Sequence, residues 1–327
     1  MSRKVTALGG GQGLSASLRA LRRIDGLDIT AVVTVADNGG SSGRLRADRG
    51  ALPPGDLRKA LAALAGEDLV DRISADLFQY RFDEVDDETD PLVGHTVGNL
   101  VLCGLMEIYG DPVPALAHAA RLVNARGVVL PMARTPLDIE ADIVGADPGH
   151  PTARRTVRGQ HEVAVSRGRV EEVRLLPAEP AACAEAVEAI YAADWLILGP
   201  GSWYTSVIPH LLVPEIGKAL VTSHARRIVV LNLASEYETA SLSLPDHISA
   251  LTRYLPALHA DVVVADGRAI ADPSRLAQAA GSIGADLVLE PVAMDDGSPR
   301  HDPEALSATL GRIVNDGRPG PADRAVR

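Results

Sequence analysis

The residues best suited to chemistry lie in glycine-rich segments that each follow a run of apolar or β-branched residues. The first, residues 9–16, reads GGGQGLSA and contains the spacing G-x-G-x-x-A from Gly11 to Ala16. Between a strand and a helix, such a segment offers phosphate its backbone amides and the positive end of the helix. We therefore expect Gly11, Gln12 and Gly13 to contact a phosphate, and a side chain at Gly13 to block it. The alternative is that these glycines only allow a tight turn to pack on the sheet.

A second segment, residues 37–43, reads DNGGSSG and is followed by Arg44. Its glycines leave amides exposed and its serines leave small hydroxyls free, so the loop can wrap an anion. Asp37 also lies about 20 residues beyond the first turn, where dinucleotide-binding folds place a ribose-binding acid. The alternative is a flexible surface loop. The candidate ligand contacts in this segment are Asp37, Asn38, Ser41, Ser42 and Arg44.

A third segment, residues 199–206, reads GPGSWYTS and repeats the order of strand, glycine turn and hydroxyl-rich helix start. It makes Gly201 and Ser202 candidate contacts, since small residues let a ligand approach the backbone. The motif GHTVGN, at residues 94–99, opens a predicted helix. Ligand contact and helix capping are equally good interpretations of Asn99, whereas capping is favoured for His95. We expect Asp37, Ser42 and Gly201 to meet around one pocket.

Strands alternate with helices along most of the chain. The predicted strands are 4–8, 29–35, 195–198, 227–231 and 261–264. The predicted helices include 96–108, 113–124 and 181–193. This order predicts an α/β fold with a mostly parallel sheet covered by helices on both faces, and ligands in the crevice at the carboxyl ends of the strands.

The stretch 126–176 has a different sequence pattern, because short runs of alternating apolar and polar residues are broken by turn sequences that are typical of β-hairpins. We interpret it as a β-hairpin-rich insertion into a single α/β domain that spans residues 1–317. Residues 318–327 are rich in Gly, Pro, Asp and Arg and are expected to form a disordered tail.

The composition excludes several classes of function. With 32 basic and 43 acidic side chains the formal net charge is -11, which opposes binding to nucleic acid, so any phosphate needs a local site. The two cysteines, Cys103 and Cys183, have no spacing typical of zinc or of a disulfide framework. The sequence shows no apolar run of membrane-spanning length and no signal peptide. We expect a cytoplasmic protein and leave open whether it forms a homo-oligomer.

Several segments together resemble the YvcK-type gluconeogenesis factors, a CofD-like branch related to 2-phospho-L-lactate transferase. The match is weaker at 231–239, where the family pattern survives only as Glu238-Thr239. The segments that carry the resemblance are GGGQGLS (9–15), ITAVVTVADNGGSSGRLR (29–46), PPGDLRKAL (53–61), GHTVGNLVL (94–102), LVNARGVVLP (122–131) and GPGSWYTSVIPHLLVPEI (199–216).

The resemblance implies a CofD-like fold, which is a Rossmann-like three-layer sandwich. It implies a role in cell shape and in growth on gluconeogenic carbon sources, with partners in the cell-wall or morphogenesis machinery. It also implies binding of a UDP-sugar such as UDP-N-acetylglucosamine, with no required cofactor and no established reaction. The contacts that it implies are Gly11, Gln12, Gly13, Asp37, Ser41, Ser42, Asn99, Gly201 and Ser202.

One departure from the family bears on metal chemistry. Related branches carry paired aspartates where this chain has Asp37-Asn38, so one carboxylate for Mg²⁺ is expected to be missing. A phosphoester transferase remains the first alternative function, with Asp37, Asp56 and Arg58 as the clustered charged candidates. The second alternative is an NAD(P)-binding oxidoreductase, which does not explain the glycine-serine segment.

Overall fold

The computed structural model describes residues 2–83, 90–147, 149–150, 152–233, 242–270 and 272–316. The predicted tail 318–327 and the weaker part of the family match, residues 234–239, lie outside them. The strands are β1 (Arg3–Gly9), β2 (Leu27–Val33), β3 (Val128–Pro131), β4 (Asp138–Val144), β5 (Arg154–Arg158), β6 (Arg169–Leu176), β7 (Trp195–Leu198), β8 (Arg226–Val230), β9 (Val262–Asp266) and β10 (Asp286–Glu290).

The central sheet has seven strands in the order β10-β9-β8-β7-β1-β2-β3, and all neighbouring pairs are parallel. Consecutive residues of its middle strands are buried, including Val5 to Leu8 in β1 and all of β7. Burial of adjacent residues means that both faces of the sheet are covered, which explains their apolar composition. The predicted α/β fold with a parallel sheet is confirmed.

Helices occupy most of the connections between these strands. None of the described helices is long and apolar enough to cross a membrane. The helices are α1 (Gly11–Leu21), α2 (Gly40–Arg49), α3 (Pro54–Leu64), α4 (Leu69–Gln79), α5 (Val97–Tyr109), α6 (Pro112–Leu122), α7 (Gln160–Ala164), α8 (Ala184–Ala192), α9 (Ile208–Leu212), α10 (Pro214–Thr222), α11 (Leu244–Tyr254), α12 (Pro273–Ser282) and α13 (Pro303–Asp316), with a π-helical turn over Trp203–Val207 and a 3-10 turn over Gly267–Ala269.

The insertion is smaller than the sequence predicts. Residues Val128–Pro131, which lie within the predicted stretch 126–176, form β3 and pair with β2 in the central sheet, so the insertion begins after them. The antiparallel sheet is formed by β5, β4 and β6, with α7 between β5 and β6. It is tied to the main body by Arg46, whose Nη2 lies 2.5 Å from Oδ1 of Asp138. The hairpin pattern was correctly placed, but the short apolar run before it was assigned to the wrong sheet.

The strand order reverses between β1 and β7. From β1 the chain proceeds through β2 to β3 on one side, whereas β7 to β10 follow one another on the other side. Such a reversal leaves a crevice at the carboxyl ends of the two strands, because their connections lead away in opposite directions. This crevice lies where the first and third glycine-rich segments meet.

Candidate functional site

The floor of the crevice is the contact between the turns that follow β1 and β7. A Cβ atom at Gly13 would overlap the carbonyl oxygen of Pro200 and the Cα of Gly201, so the two backbones touch directly. Asn232 fixes the second turn, because its Oδ1 accepts from the Gly201 amide at 2.8 Å and its Nδ2 donates to the Gly201 carbonyl at 2.9 Å. The hydroxyl of Ser17 donates to the carbonyl of Gly199 at 3.0 Å.

Gly11 and Gly13 therefore have different roles. Gly13 is required for packing between the two turns, which corrects the prediction that its missing side chain only admits a phosphate. Gly11 begins α1 with a φ of 59°, and a Cβ there would meet no atom within 4 Å. Positive φ disfavours other residues at this position. The open side of the turn is thus at Gly11, where a ligand can approach the amino end of the helix.

A polar cavity of about 250 Å³, here called the acidic cavity, opens beside this turn on the β2 side. It brings residues from distant parts of the chain together, including the insertion, which contributes Gln160. Seven of the predicted contacts lie in its wall. The lining residues are Gly10, Gly11, Gln12, Gly13, Asp37, Asp56, Lys59, Gln160, Gly201, Ser202 and Ser206.

Two carboxylates dominate the electrostatics of the acidic cavity. Burial, and then the charge of Asp56, raise the pKa of Asp37 above its ordinary value. Asp56 is 3% exposed; its Oδ1 lies 3.0 Å from Nζ of Lys59, and its Oδ2 is buried with no partner among the described residues. A buried carboxylate oxygen without a donor is unusual, since desolvation then remains uncompensated. The cavity can accept hydrogen bonds from hydroxyl groups or hold a cation.

The three residues that were predicted to meet at one pocket are close together, but only two line it. Asp37 and Gly201 are in the wall of the acidic cavity. Ser42 is 3% exposed and lies behind Asp37, to whose carboxylate it hydrogen-bonds. The amide of Gly39 also donates to Asp37, at 2.9 Å. Ser42 thus orients Asp37 and does not face the open space.

The glycine-serine segment is largely helical and not a loop that wraps an anion. Gly40 begins α2, which buries Ser41 against α5. The Ser41 hydroxyl lies 3.1 Å from Nδ1 of His95 and accepts a hydrogen bond from Nδ2 of Asn99 at 2.9 Å. Packing between two helices therefore explains Ser41 and the amide donor of Asn99, whose Oδ1 is buried with no partner among the described residues. The preference for capping by His95 is wrong, because α5 begins after Thr96 and the His95 ring contacts Ser41.

Three other predicted contacts are directed at protein groups. Asn38 accepts from the amide of His161 at 2.8 Å and donates to Oε2 of Glu162 at 2.7 Å, which holds α7 beside the acidic cavity. Arg44 donates to the carbonyl of Val93 at 2.6 Å. Arg58 is 5% exposed, and burial, with the nearby charge of Arg81 second, lowers its pKa to about 10.

The guanidinium of Arg58 donates to the carbonyl of Phe78 at 3.4 Å and to the side chain of Gln79. It supports the end of α4 and does not line either cavity. Asn38 is likewise directed at the insertion, so an aspartate there would face Glu162 and not a metal. Asp56, a charged candidate from the sequence, lines the acidic cavity together with Asp37.

A larger cavity of about 620 Å³ opens on the β8 side of the same turn and shares Gln12, Gly13 and Gly201 with the acidic cavity. Its other residues, with Gly10, Lys59, Gln160 and Ser206 of the acidic cavity, were missed. Gly10 lies within the first glycine-rich segment and Lys59 has i,i+3 spacing to Asp56, so the sequence offered a signal for both; the others depend on long-range packing. The lining residues of the larger cavity are Gln12, Gly13, Ala16, Arg19, Pro200, Gly201, Asn232, Leu233, Met294, Pro299, Arg300, His301 and Pro303.

Metal binding has limited support from ligand count. Within the part of the chain that the structure describes, no group of three or more His, Cys, Asp or Glu side chains is placed to hold a metal ion. Asp37 and Asp56 form a pair of carboxylates on one wall. Such a pair can hold Mg²⁺ only if phosphate oxygens or water complete its shell, as is usual for this ion.

Comparison with known proteins places the chain in a family. Residues 5–304 match the model of 2-phospho-L-lactate transferase CofD. A relative in Mycobacterium tuberculosis (strain ATCC 25618 / H37Rv), named "Putative gluconeogenesis factor", is 45% identical over 314 residues, which cover 95% of this chain and 90% of the relative. The "Gluconeogenesis factor" of Bacillus subtilis (strain 168) is 37% identical over 270 residues, or 82% of this chain and 80% of the relative.

A solved structure gives the same assignment. The crystal structure of a UPF0052 family member from Bacillus halodurans superposes with a TM-score of 0.81 at 31% identity, covering 95% of this chain and 99% of that one. The superposition extends over nearly the whole length of both chains. With its parallel sheet, its glycine-floored crevice and these relatives, the chain belongs to the CofD family, in the branch whose members are named gluconeogenesis factors.

Proposed function

We propose that this chain is a cytoplasmic regulatory protein that binds a UDP-sugar of the UDP-N-acetylglucosamine type without consuming it. The supporting observation is the crevice at the switch point, where two cavities share a floor of bare glycine backbone. An extended ligand with phosphates in its middle suits this arrangement, because the phosphates can lie over the glycines while the two ends occupy the cavities.

The physiological part of the proposal rests on the relatives. Proteins with 45% and 37% identity are named as gluconeogenesis factors. We propose that this chain likewise supports growth on gluconeogenic carbon sources and cell morphogenesis, by reporting the level of a cell-wall precursor to protein partners. Complementation of a disruption strain by a variant that folds but does not bind UDP-sugar tests whether binding is needed for this role.

Titration of the purified protein with UDP-N-acetylglucosamine, GDP and NAD, followed by calorimetry and thermal unfolding, tests the binding step. A ligand that binds only the native state raises the free energy of unfolding by about 2.7 kcal/mol at a hundredfold excess over Kd. For a chain of this length, we expect a thermal shift of a few degrees with the UDP-sugar, with or without EDTA. Absence of a shift with every uridine nucleotide would refute the proposal.

The variant Gly11→Ala examines the first turn, with Gly40→Ala as its matched control. Both glycines have positive φ, of 59° and 46°, and a Cβ would meet no atom within 4 Å at either position. The strain of about 1 kcal/mol should be similar in the two variants. We expect Gly11→Ala to lower UDP-sugar affinity at least tenfold, because its methyl group faces the crevice, and Gly40→Ala to leave the affinity unchanged.

A phosphoester transferase is the second candidate, and the pair of carboxylates in the acidic cavity favours it. Asp37 and Asp56 would hold Mg²⁺, which neutralises phosphate charge when bound. The buried, unpartnered Oδ2 of Asp56 fits such a role. Release of UDP or UMP from the UDP-sugar that depends on Mg²⁺ and is lost in Asp56→Asn would establish this function in place of binding alone.

A further inference from the structure

The helix α4 presents an apolar face to solvent. Among its residues only Phe78 is fully buried, whereas the leucines of the neighbouring α3 are all buried. A surface helix normally packs its apolar stripe on the core, and a large exposed stripe marks a contact with another molecule. The large apolar side chains in α4 and directly after it that are more than half exposed, here called the α4 stripe, are Leu69, Val70, Ile73, Leu77 and Tyr80.

The α4 stripe is continuous along one side of the helix. Leu69, Ile73 and Leu77 are four residues apart, so they lie one above another on the same face. The opposite face is closed by α5, because a Cβ atom at Gly98 would lie 2.9 Å from the ring of Phe78. The α4 stripe therefore points away from the body of the protein.

The segments of the chain outside the described residues are too polar to cover this face. Apart from single residues and Met1, they are 84–89 (EVDDET), 234–241 (ASEYETAS) and 317–327 (GRPGPADRAVR). Each contains one large apolar side chain, namely Val85, Tyr237 or Val326. A cover that matches five such side chains must come from a second molecule.

Two charged side chains border the α4 stripe on one flank. Arg72 and Asp76 are exposed, and neither side chain has a hydrogen bond or ion pair with the described residues. Their i,i+4 spacing has the cation first, which is the less favourable order for pairing within a helix. The third charged residue of α4, Asp71, is turned away and accepts from Nδ2 of Asn124 at 2.9 Å. A partner must therefore offer one cation and one anion at this flank.

A second copy of α4 in antiparallel orientation meets both requirements. If a two-fold axis passes at the level of Ser74, the same flank of each helix faces the other, so Arg72 of one copy lies opposite Asp76 of the second copy. The apolar residues interleave, since Leu77 of the second copy falls between the levels of Leu69 and Ile73. A parallel pair would instead leave both charges facing the flank that carries Val70.

We propose that two copies of this chain associate through antiparallel contact of their α4 helices, with the α4 stripe at the centre and two reciprocal Arg72–Asp76 ion pairs at the flank. One helix from each copy offers less area than the about 1,600 Å² of a standard interface, so the dimer is weak and reversible, with a Kd in the micromolar range. No residue of α4 lines either cavity, so the contact is independent of the proposed ligand site.

Sedimentation velocity of the full chain over roughly 1–100 µM, a range that brackets such a Kd, tests the contact. Ile73→Asp places a charge in the α4 stripe, and we expect it to weaken association at least tenfold. The matched control is Ile108→Asp, which alters an exposed isoleucine of α5 outside the stripe and should associate as the parent does. A parent chain that stays monomeric throughout, or an Ile73→Asp protein that associates equally well, would overturn the proposal.

Charge reversal tests the antiparallel pairing. Arg72→Asp and Asp76→Arg each set like charges opposite one another, and we expect each to raise the Kd of the dimer at least threefold. The double variant restores opposite charges and should return the Kd to within twofold of the parent's. A double variant as weak as the single ones would refute the reciprocal ion pairs.

Cysteine substitution tests the register. In the antiparallel pair the two copies of Ile73 are about 3 Å apart along the helix axis and the two copies of Leu69 about 15 Å apart, because each residue rises about 1.5 Å. We expect Ile73→Cys, and not Leu69→Cys, to form a covalent dimer on oxidation, as read on a non-reducing gel. Cross-linking of Leu69→Cys, or of neither variant, would overturn the arrangement.

Discussion

The turn that follows β1 and the turn that follows β2 lie side by side at the carboxyl ends of neighbouring parallel strands. After β1 the helix begins almost at once, at Gly11, so its amino end stays at the sheet edge. After β2 the chain continues through residues 34–39 before α2 begins at Gly40. That added length carries Ser41 and Ser42 under α5 and behind Asp37, where their hydroxyls bond to protein groups.

The difference teaches that glycine and serine content does not by itself distinguish a ligand-binding turn from a packed one. Both turns have the composition that leaves amides exposed. What differs is whether the helix start remains at the edge of the sheet, because an amide can meet a ligand only if no other element covers it. The predictions below test this contrast.

The largest effect is expected for Gly13→Ala, because the new Cβ would overlap the backbone of the turn after β7. Overpacking against backbone is not relieved by a rotamer change, so we expect a loss of about 3 kcal/mol in the free energy of unfolding. Urea denaturation measures it. The control is Gly104→Ala within α5, where a Cβ meets no atom within 4 Å and a gain of about 0.5 kcal/mol is expected. A Gly13→Ala protein as stable as its parent would mean that the two turns do not touch.

Ser41→Ala should have an intermediate effect on stability and none on ligand affinity. It removes the acceptor of Asn99, which is 2% exposed, and a buried amide without a partner costs about 2 kcal/mol. The control is Ser282→Ala, which removes an exposed hydroxyl. If Ser41→Ala kept its stability but lost UDP-sugar binding, the second turn would be part of the binding site and the contrast would fail.

The smallest effect is expected for Asp37→Asn and depends on pH. Burial and the charge of Asp56 raise the pKa of Asp37, so its contribution to stability is present below the ordinary value of 3.8 and is lost as pH rises through the raised pKa. An asparagine can still accept from the amide of Gly39 and carries no charge. We therefore expect Asp37→Asn to be more stable than the parent at pH 7, by an amount that shrinks towards pH 4.

Urea denaturation of both proteins between pH 4.5 and 8 measures this difference, with the exposed Asp28→Asn as control. A stability difference that does not change with pH would show that the surroundings of Asp37 do not raise the pKa of its carboxyl group.

Much of the fold was predictable because parallel strands covered on both faces leave a continuous apolar signature. The strands β1, β2, β7, β8 and β9 were found from that signature within about two residues of their ends. The prediction missed β10, whose residues are only half buried, and assigned β3 to the insertion because it is short and stands next to hairpin sequences. Whether a short segment forms a strand, and in which sheet, depends on the strand that it pairs with, and a local sequence pattern does not contain that information.

The sequence by itself determined the parallel α/β class, five of the seven central strands, the family and the position of the first glycine turn, since these depend on periodicity and on residues that are adjacent in the chain. Only the tertiary structure showed that Asp37 and Asp56 line the same cavity, whereas Asn38 is directed at α7. It also decided that Gly13 packs while Gly11 is open, and it brought His301, near the end of the described chain, to the crevice that begins at Gly10. The physical reason is that the side of a turn facing a cavity depends on which distant elements cover the other side, and contact between elements far apart in the chain leaves no trace in local spacing.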